Sequence, residues 1–233
     1  MYIVIVFDNV TLRYHYDEYD LLKGVSFRLV DGVNTILVDT QSGKTSICRL
    51  LINDVTPTSG QILVDSSDIS SITNANLDIL YLPSSPVFFN RRSVLYNIEY
   101  PLRVRKVSKE ERRKLALDVA QKLNLDGLDR KVNKLSQAER RAVALARGLT
   151  VKRDVVLCDD FFQATEQEQV KQTIELFDAK TFVILTSDPQ LAVGNVVVID
   201  FGKVVYEGSA EQARQIVNDL GWLASQDLDK YKI

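Results

Sequence analysis

Thr35-Ile-Leu-Val-Asp-Thr-Gln-Ser-Gly-Lys-Thr-Ser46 decides the reading of this chain. Its first half is an apolar strand and its second half opens a helix. Gly43-Lys44-Thr45 is the tail of the phosphate-loop pattern G-x-x-x-x-G-K-[ST]. In that pattern backbone N–H groups and a helix N-terminus receive phosphate oxygens. The lysine reaches the terminal phosphates, and the threonine hydroxyl suits Mg²⁺. Val38 stands where the first glycine belongs. A bare G-K-T arises by chance, but here it lies at a strand-to-helix turn, where the chemistry needs it.

Upstream, Tyr2 to Tyr14 and Gly24 to Val30 are β-rich, and Asp31-Gly32 is a turn before a strand from Val33 to Asp39. Downstream, a helix from about Lys44 to Asn53 ends before Thr56-Pro-Thr-Ser-Gly60, and Gln61 to Asp65 resumes a strand. The middle is helical. Ser108 with Glu111, and Ser136 with Glu139, read as capping boxes before helices Arg112 to Asn124 and Arg140 to Leu149. Alternation then returns: a strand Val155 to Cys158, a helix from about Glu166 to Phe177, and a strand Thr181 to Thr186. A hairpin of Asn195 to Ile199 with Val204 to Tyr206 and a helix from about Ala210 to Leu220 close the pattern. The order predicts an α/β fold of P-loop NTPase type. It has a mostly parallel sheet, an N-terminal antiparallel β part, an antiparallel edge and an inserted helical lobe at about residues 85–150. Ligands of such sheets bind at strand carboxyl ends, here after Val38, Cys158 and Leu185.

Composition narrows the function classes. Of 233 residues 45% are apolar and 26% charged, and the net charge is −2, so no basic excess points to nucleic acid. Arg103 to Lys114 is locally basic but interleaved with Glu110 and Glu111, which reads as a solvated helix face. Cys48 and Cys158 have no neighbouring Cys or His, so buried reduced thiols are expected, with no zinc site. Nothing points to haem or flavin. His15 is the only histidine. Met1 to Phe7 lacks a positive leader, and no run reaches the roughly 20 apolar residues of a membrane helix. A cytoplasmic chain is expected, peripheral at the cytoplasmic face of a membrane where a partner holds it.

Taken together, the segments resemble the ATP-binding domain of ABC transporters, in motif order and approximate spacing from Phe7 to about Leu220, as one such domain over residues 1–233. Val10-Thr-Leu-Arg-Tyr14 matches the segment whose aromatic stacks on adenine. This makes Tyr14 the candidate and Tyr16 a competitor, and an ordinary strand-end tyrosine explains Tyr14 equally well. The resemblance assigns Gly43, Lys44, Thr45 and Ser46 to nucleotide. It places Val38 and Gln41 at two of the three usual glycines, where they are expected to distort or crowd the loop. Val155-Val-Leu-Cys-Asp159 matches the strand whose aspartate, with Thr45, orders Mg²⁺. Several expected side chains are replaced: Asp160 stands at the glutamate that polarises the attacking water, Ser84 at the Mg²⁺-contacting glutamine, and Ser187 at the switch histidine. The signature is Leu135-Ser-Gln-Ala-Glu139, where Ser136 survives and both glycines are lost, so Ser136 and Glu139 read best as a helix cap. Gln163-Ala-Thr-Glu166 is a poor match to the loop that contacts a second subunit. The stretch from about Pro86 to Asn97, with Phe88, Phe89, Leu95 and Tyr96, resembles the surface that meets a membrane-spanning partner. Pro101 to Glu111 resembles sugar-import subunits, but the sequence ends before the C-terminal regulatory domain many of those carry, which leaves import and export both open.

The resemblance implies a degenerate ATP-binding subunit that binds ATP and Mg²⁺ weakly and does not hydrolyse it. Its expected partner is a membrane-spanning permease, a second ABC ATP-binding subunit, or both. Two alternatives stand beside it: a slow but genuine ATPase using Lys44, Thr45, Asp159 and Asp160, and a cytosolic scaffold without nucleotide.

Overall fold

The computed structural model describes residues 3–15, 18–39, 43–72, 78–163 and 166–222. Strands β1 (Ile5–Leu12) and β2 (Leu22–Leu29) pair antiparallel. Chain order continues with β3 (Gly32–Val38), α1 (Lys44–Leu51), β4 (Ser59–Val64) and β5 (Ser67–Asp68). The first sheet has the order β2-β1-β4-β5 and is antiparallel throughout. Strands β1 and β2 largely alternate between buried and more exposed residues, as expected of a sheet with one wet face. Phe7 faces Phe27 across the β1–β2 ladder, and their rings stack with centroids 4.3 Å apart.

The second sheet adds β6 (Ile79–Pro83), β7 (Val155–Asp159), β8 (Thr181–Thr186), β9 (Asn195–Asp200) and β10 (Lys203–Ser209) in the order β10-β9-β3-β8-β7-β6. All its pairs are parallel except β9–β10. Every residue of β7 and β8 is buried, which explains why these strands read as unbroken apolar runs rather than alternating ones. The α/β fold, the antiparallel N-terminal part and the antiparallel edge therefore stand as the sequence predicts.

Between β6 and β7 lie α2 (Val94–Val104), α3 (Lys109–Lys122) and α4 (Gln137–Leu149), the inserted helical segment. Helices α5 (Gln167–Phe177) and α6 (Ala210–Asp219) complete the order. The sequence reading did not delimit α2, because Pro101 falls within it. The helix starts at a sound cap, the Ser93 hydroxyl accepting from Tyr96 N at 3.1 Å. Of the two expected capping boxes, Ser136 with Glu139 is complete. At Ser108 the hydroxyl accepts from Glu111 N at 3.2 Å.

The basic stretch is mostly exposed, as expected, but three of its arginines converge on one buried carboxylate: the Glu99 side chain is 5% exposed and lies 2.8 Å from Arg103, 3.3 Å from Arg112 and 3.8 Å from Arg113. Arg103 also lies over the Tyr96 ring. Both cysteines are buried as expected, and burial pushes both thiols up.

Two consequences are measurable. Glu99→Ala leaves the Arg112 guanidinium, 15% exposed, without its carboxylate and should cost about 3 kcal/mol, read as a lowered urea midpoint. At the start of α4, the Ser136 backbone N–H, then Arg130, then the Ser136 hydroxyl hold the Glu139 carboxyl down at about 2, from 4.5. A folded pKa below the unfolded one means that the unfolded chain takes the proton first. Glu139's contribution is therefore complete above pH 4.5 and is lost as the pH falls towards 2. Thermal midpoints of the wild type should drop through that window by more than those of Glu139→Gln.

Candidate functional site

The parallel register brings four chain exits into one row. Strands β3, β8, β7 and β6 are consecutive neighbours and run the same way. Lys44 begins the helix after β3, Ser187 follows β8, Asp160 follows β7 and Ser84 follows β6. Residues scattered over the sequence thus share one sheet edge, the carboxyl edge expected to carry the ligand.

Gly43 precedes α1 in the left-handed region at φ 78°, ψ 41°. A Cβ there would fall 2.5 Å from Leu21 Cδ2, so glycine is required by backbone and neighbour alike. Helix α1 presents its N-terminal end at this turn. Thr45 is exposed beside it, while Ser46 is buried and its hydroxyl is hydrogen-bonded to the Tyr14 hydroxyl at 2.9 Å, either oxygen being able to donate. Arg49 also donates to the Tyr14 hydroxyl, at 3.3 Å, and its guanidinium lies 5.8 Å from the Tyr14 ring centroid. Tyr14 is therefore tied into the α1 side of the site and packs on the core.

Lys44 is the centre of the arrangement. Its Nζ lies 2.7 Å from Asp160 Oδ2 and donates to Ser187 Oγ at 2.9 Å. Residues at the expected glutamate and histidine positions thus meet on the lysine. Asp160 adopts φ 44° and donates its N–H to Leu185 O at 2.9 Å, so the end of β8 fixes its place. Neighbouring Asp159 points elsewhere. It is 5% exposed and accepts from the Tyr81 hydroxyl at 2.7 Å. Burial outweighs that hydrogen bond and lifts the Asp159 carboxyl above its ordinary value. The Cys48 thiol lies against the same carboxylate, and burial followed by that charge drives the thiol up.

The sequence reading did not foresee Tyr81 or Cys48 at Asp159. The signal was parity: Tyr81 pairs with Leu157 and Pro83 with Asp159, so Tyr81 lies on the Asp159 side of the sheet. A second element that it missed is Arg141 of α4, which donates to Glu166 at 3.0 Å and to Phe161 O at 3.3 Å. That pair ties the helical segment to the turn after β7.

Val38 is the last residue of β3, pairs with Ile199 and is fully buried in the core. Gln41, Tyr16 and two residues of the Gln163-to-Glu166 segment lie outside the described residues. Ser84 is exposed immediately past β6. Ser136 is exposed at the α4 cap, with its backbone N–H and hydroxyl both engaged by Glu139. In the expected docking stretch, Phe88 and Leu95 are core residues, and of its large apolar residues only Phe89 and Val87 are open, at 42% and 80% exposure.

The donor set at α1 fits a polyphosphate with Mg²⁺. It combines a positive-φ glycine, a helix N-terminus, a lysine ammonium and an exposed threonine hydroxyl. The competing feature is internal, since a carboxylate already sits on the ammonium.

Comparison with known proteins agrees with this geometry. A family model described as "ABC transporter" matches residues 22–163. The Fe(3+) ions import ATP-binding protein FbpC of Mannheimia succiniciproducens is 30% identical over 197 residues, covering 80% of this chain and 56% of that protein. FbpC of Pasteurella multocida is 31% identical over 188 residues, covering 76% and 54%. The chain thus spans little more than half the length of these relatives. A bacterial Atm1-family ABC exporter solved with ATP bound superposes with a TM-score of 0.81 at 23% identity, over 97% of this chain and 42% of that one. Among the described residues no helix is long and apolar enough to cross a membrane. By its family match and the order of its motifs, the chain belongs to the ABC transporter family.

Proposed function

We propose that residues 1–233 form one degenerate ATP-binding domain of an ABC-type transport assembly, which binds Mg-ATP weakly and does not turn it over. The carrying observation is the use of Asp160. At the position of the water-polarising glutamate it has a shorter side chain, and its carboxylate lies on Lys44 at 2.7 Å. A general base must come within about 3 Å of the proton it removes. Ser187, at the histidine position, is bound to the same ammonium. The only histidine, His15, follows β1 in the other sheet.

What remains supports binding. Lys44 would meet the terminal phosphates, with Thr45 and Asp159 supplying oxygens for Mg²⁺ and Tyr14 lying at the adenine side. The same survivors support the second reading, a slow ATPase. Against it stands Asp159 itself, which is buried and already hydrogen-bonded to Tyr81.

The assembly would place the chain at the cytoplasmic face of a membrane, beside a permease or a second ABC ATP-binding subunit. Relatives named for Fe(3+) import favour the import side. The exposed pair Val87 and Phe89, with Phe89 packed on Tyr96 and Tyr100, offers the apolar contact such a partner needs.

Turnover tests the reading directly. A positioned base contributes roughly 10²–10⁴-fold, so phosphate release by the pure protein should equal that of Lys44→Ala. A rate that depends on Lys44 would establish the slow ATPase instead. Docking is tested by recovery of a membrane-embedded or ATPase-competent partner from native membranes. Val87→Ser with Phe89→Ser should lower recovery more than Lys44→Ala does, and the reverse ranking would place nucleotide chemistry in control of assembly.

A further inference from the structure

The Lys44 ammonium has three N–H donors, and two are occupied from within the chain, by Asp160 Oδ2 at 2.7 Å and Ser187 Oγ at 2.9 Å. The lysine side chain is 15% exposed and that of Asp160 39%. The ammonium is thus set into the site while the carboxylate has water beside it. An anion arriving from solvent can take the lysine, and the released carboxylate can be hydrated in place. Asp160 is aimed by its backbone: its left-handed φ of 44° is tolerated by aspartate, and its N–H is anchored on Leu185 O. The geometry is that of an anion held against a lysine at a helix N-terminus, with the anion supplied by the protein itself.

We propose that Asp160 is an internal occupant of the phosphate position at Lys44 and that it sets the affinity of the site for polyphosphate. The inference rests on the nucleotide-binding part of the proposed function. Asp160 acts twice: it competes for the ammonium, and its charge repels an incoming phosphate. Ser187 acts once, as a neutral competitor. Lys44 is the group for which they compete.

Calorimetric titration of the full chain with magnesium tripolyphosphate, and separately with Mg-ATP, tests this. Tripolyphosphate probes the phosphate contacts without the adenine. Asp160→Asn and Asp160→Ala should bind about tenfold more tightly than wild type, the size expected for a half-exposed pair that also repels the ligand. Ser187→Ala should gain about two- to threefold. Lys44→Ala should abolish binding, and adding Asp160→Asn to it should restore nothing. In the protein without ligand, thermal midpoints of Lys44→Ala, Asp160→Asn and the double variant should be non-additive.

Equal or weaker binding by Asp160→Asn overturns the inference while leaving nucleotide binding intact. Additive midpoints overturn it through the pair itself. An absence of binding in the wild type and in every variant overturns both the inference and the nucleotide reading. If circular dichroism shows that the Asp160 variants do not fold, Ser187→Ala carries the comparison, and an unchanged affinity there counts against the inference.

Discussion

Parallel pairing of β3, β8, β7 and β6 in unbroken register is the constraint on which the candidate site depends. Leu37 lies opposite Thr186, Leu185 opposite Asp159, and Asp159 opposite Pro83. The four strands therefore end within about a residue of one another. Adjacent strands are about 4.8 Å apart, so the reach from β3 across β8 to β7 is roughly 10 Å. Only a long side chain from one side and an acidic one from the other close that gap, and Lys44 with Asp160 does so. Ser187 lies between them because β8 lies between β3 and β7. A register slip of one residue would turn these side chains to the other face of the sheet. The completely buried β7 and β8 oppose such a slip, because both faces of each are packed.

Burial of charge is handled in two ways in this molecule. The buried Glu99 carboxylate is paired with guanidinium groups from α2 and α3, which link those helices. Asp159 receives a hydroxyl and a thiol instead, and its carboxyl is lifted by burial. The first arrangement is structural and tolerates no loss of partner. In the second, burial raises the carboxyl, the charge of Asp160 adds to that, and the Lys44 ammonium opposes it.

Much of this was legible in the sequence, because local chemistry dictated it. The buried strands announce themselves as apolar runs, and the α4 cap is written in Ser136 and Glu139. The helix after Gly43 is fixed by a left-handed glycine and the residues that follow. What was not legible depended on partners distant in sequence. Arg103 to Lys114 is largely solvated as its letters suggest, but its convergence on buried Glu99 is not written in the stretch itself. Phe88 and Phe89 are indistinguishable as letters, yet one packs under Arg140 and Arg147 and the other stands open. The contact of Lys44 with Asp160 and Ser187 spans well over a hundred residues and follows from strand order, which motif spacing alone does not state.

Helix α4 makes contacts that do not depend on the side chains at Lys44. Its N-terminal end carries Ser136 and the signature segment. Further along, Arg141 grips Glu166 and Phe161 O, on the turn that begins one residue after Asp160. Near its end, Arg147 donates to Val87 O at 2.7 Å and lies against the Phe88 ring. Thirteen residues of helix span about 20 Å. One stiff rod therefore touches the signature segment, the flank of the Lys44 site and the base of the exposed Val87–Phe89 surface. None of these contacts uses Asp160, Ser187 or Ser84. Changing the groups that would manage water and phosphate leaves the rod and its anchors as they are, so the contact network across the helical segment persists whether or not the site turns over nucleotide.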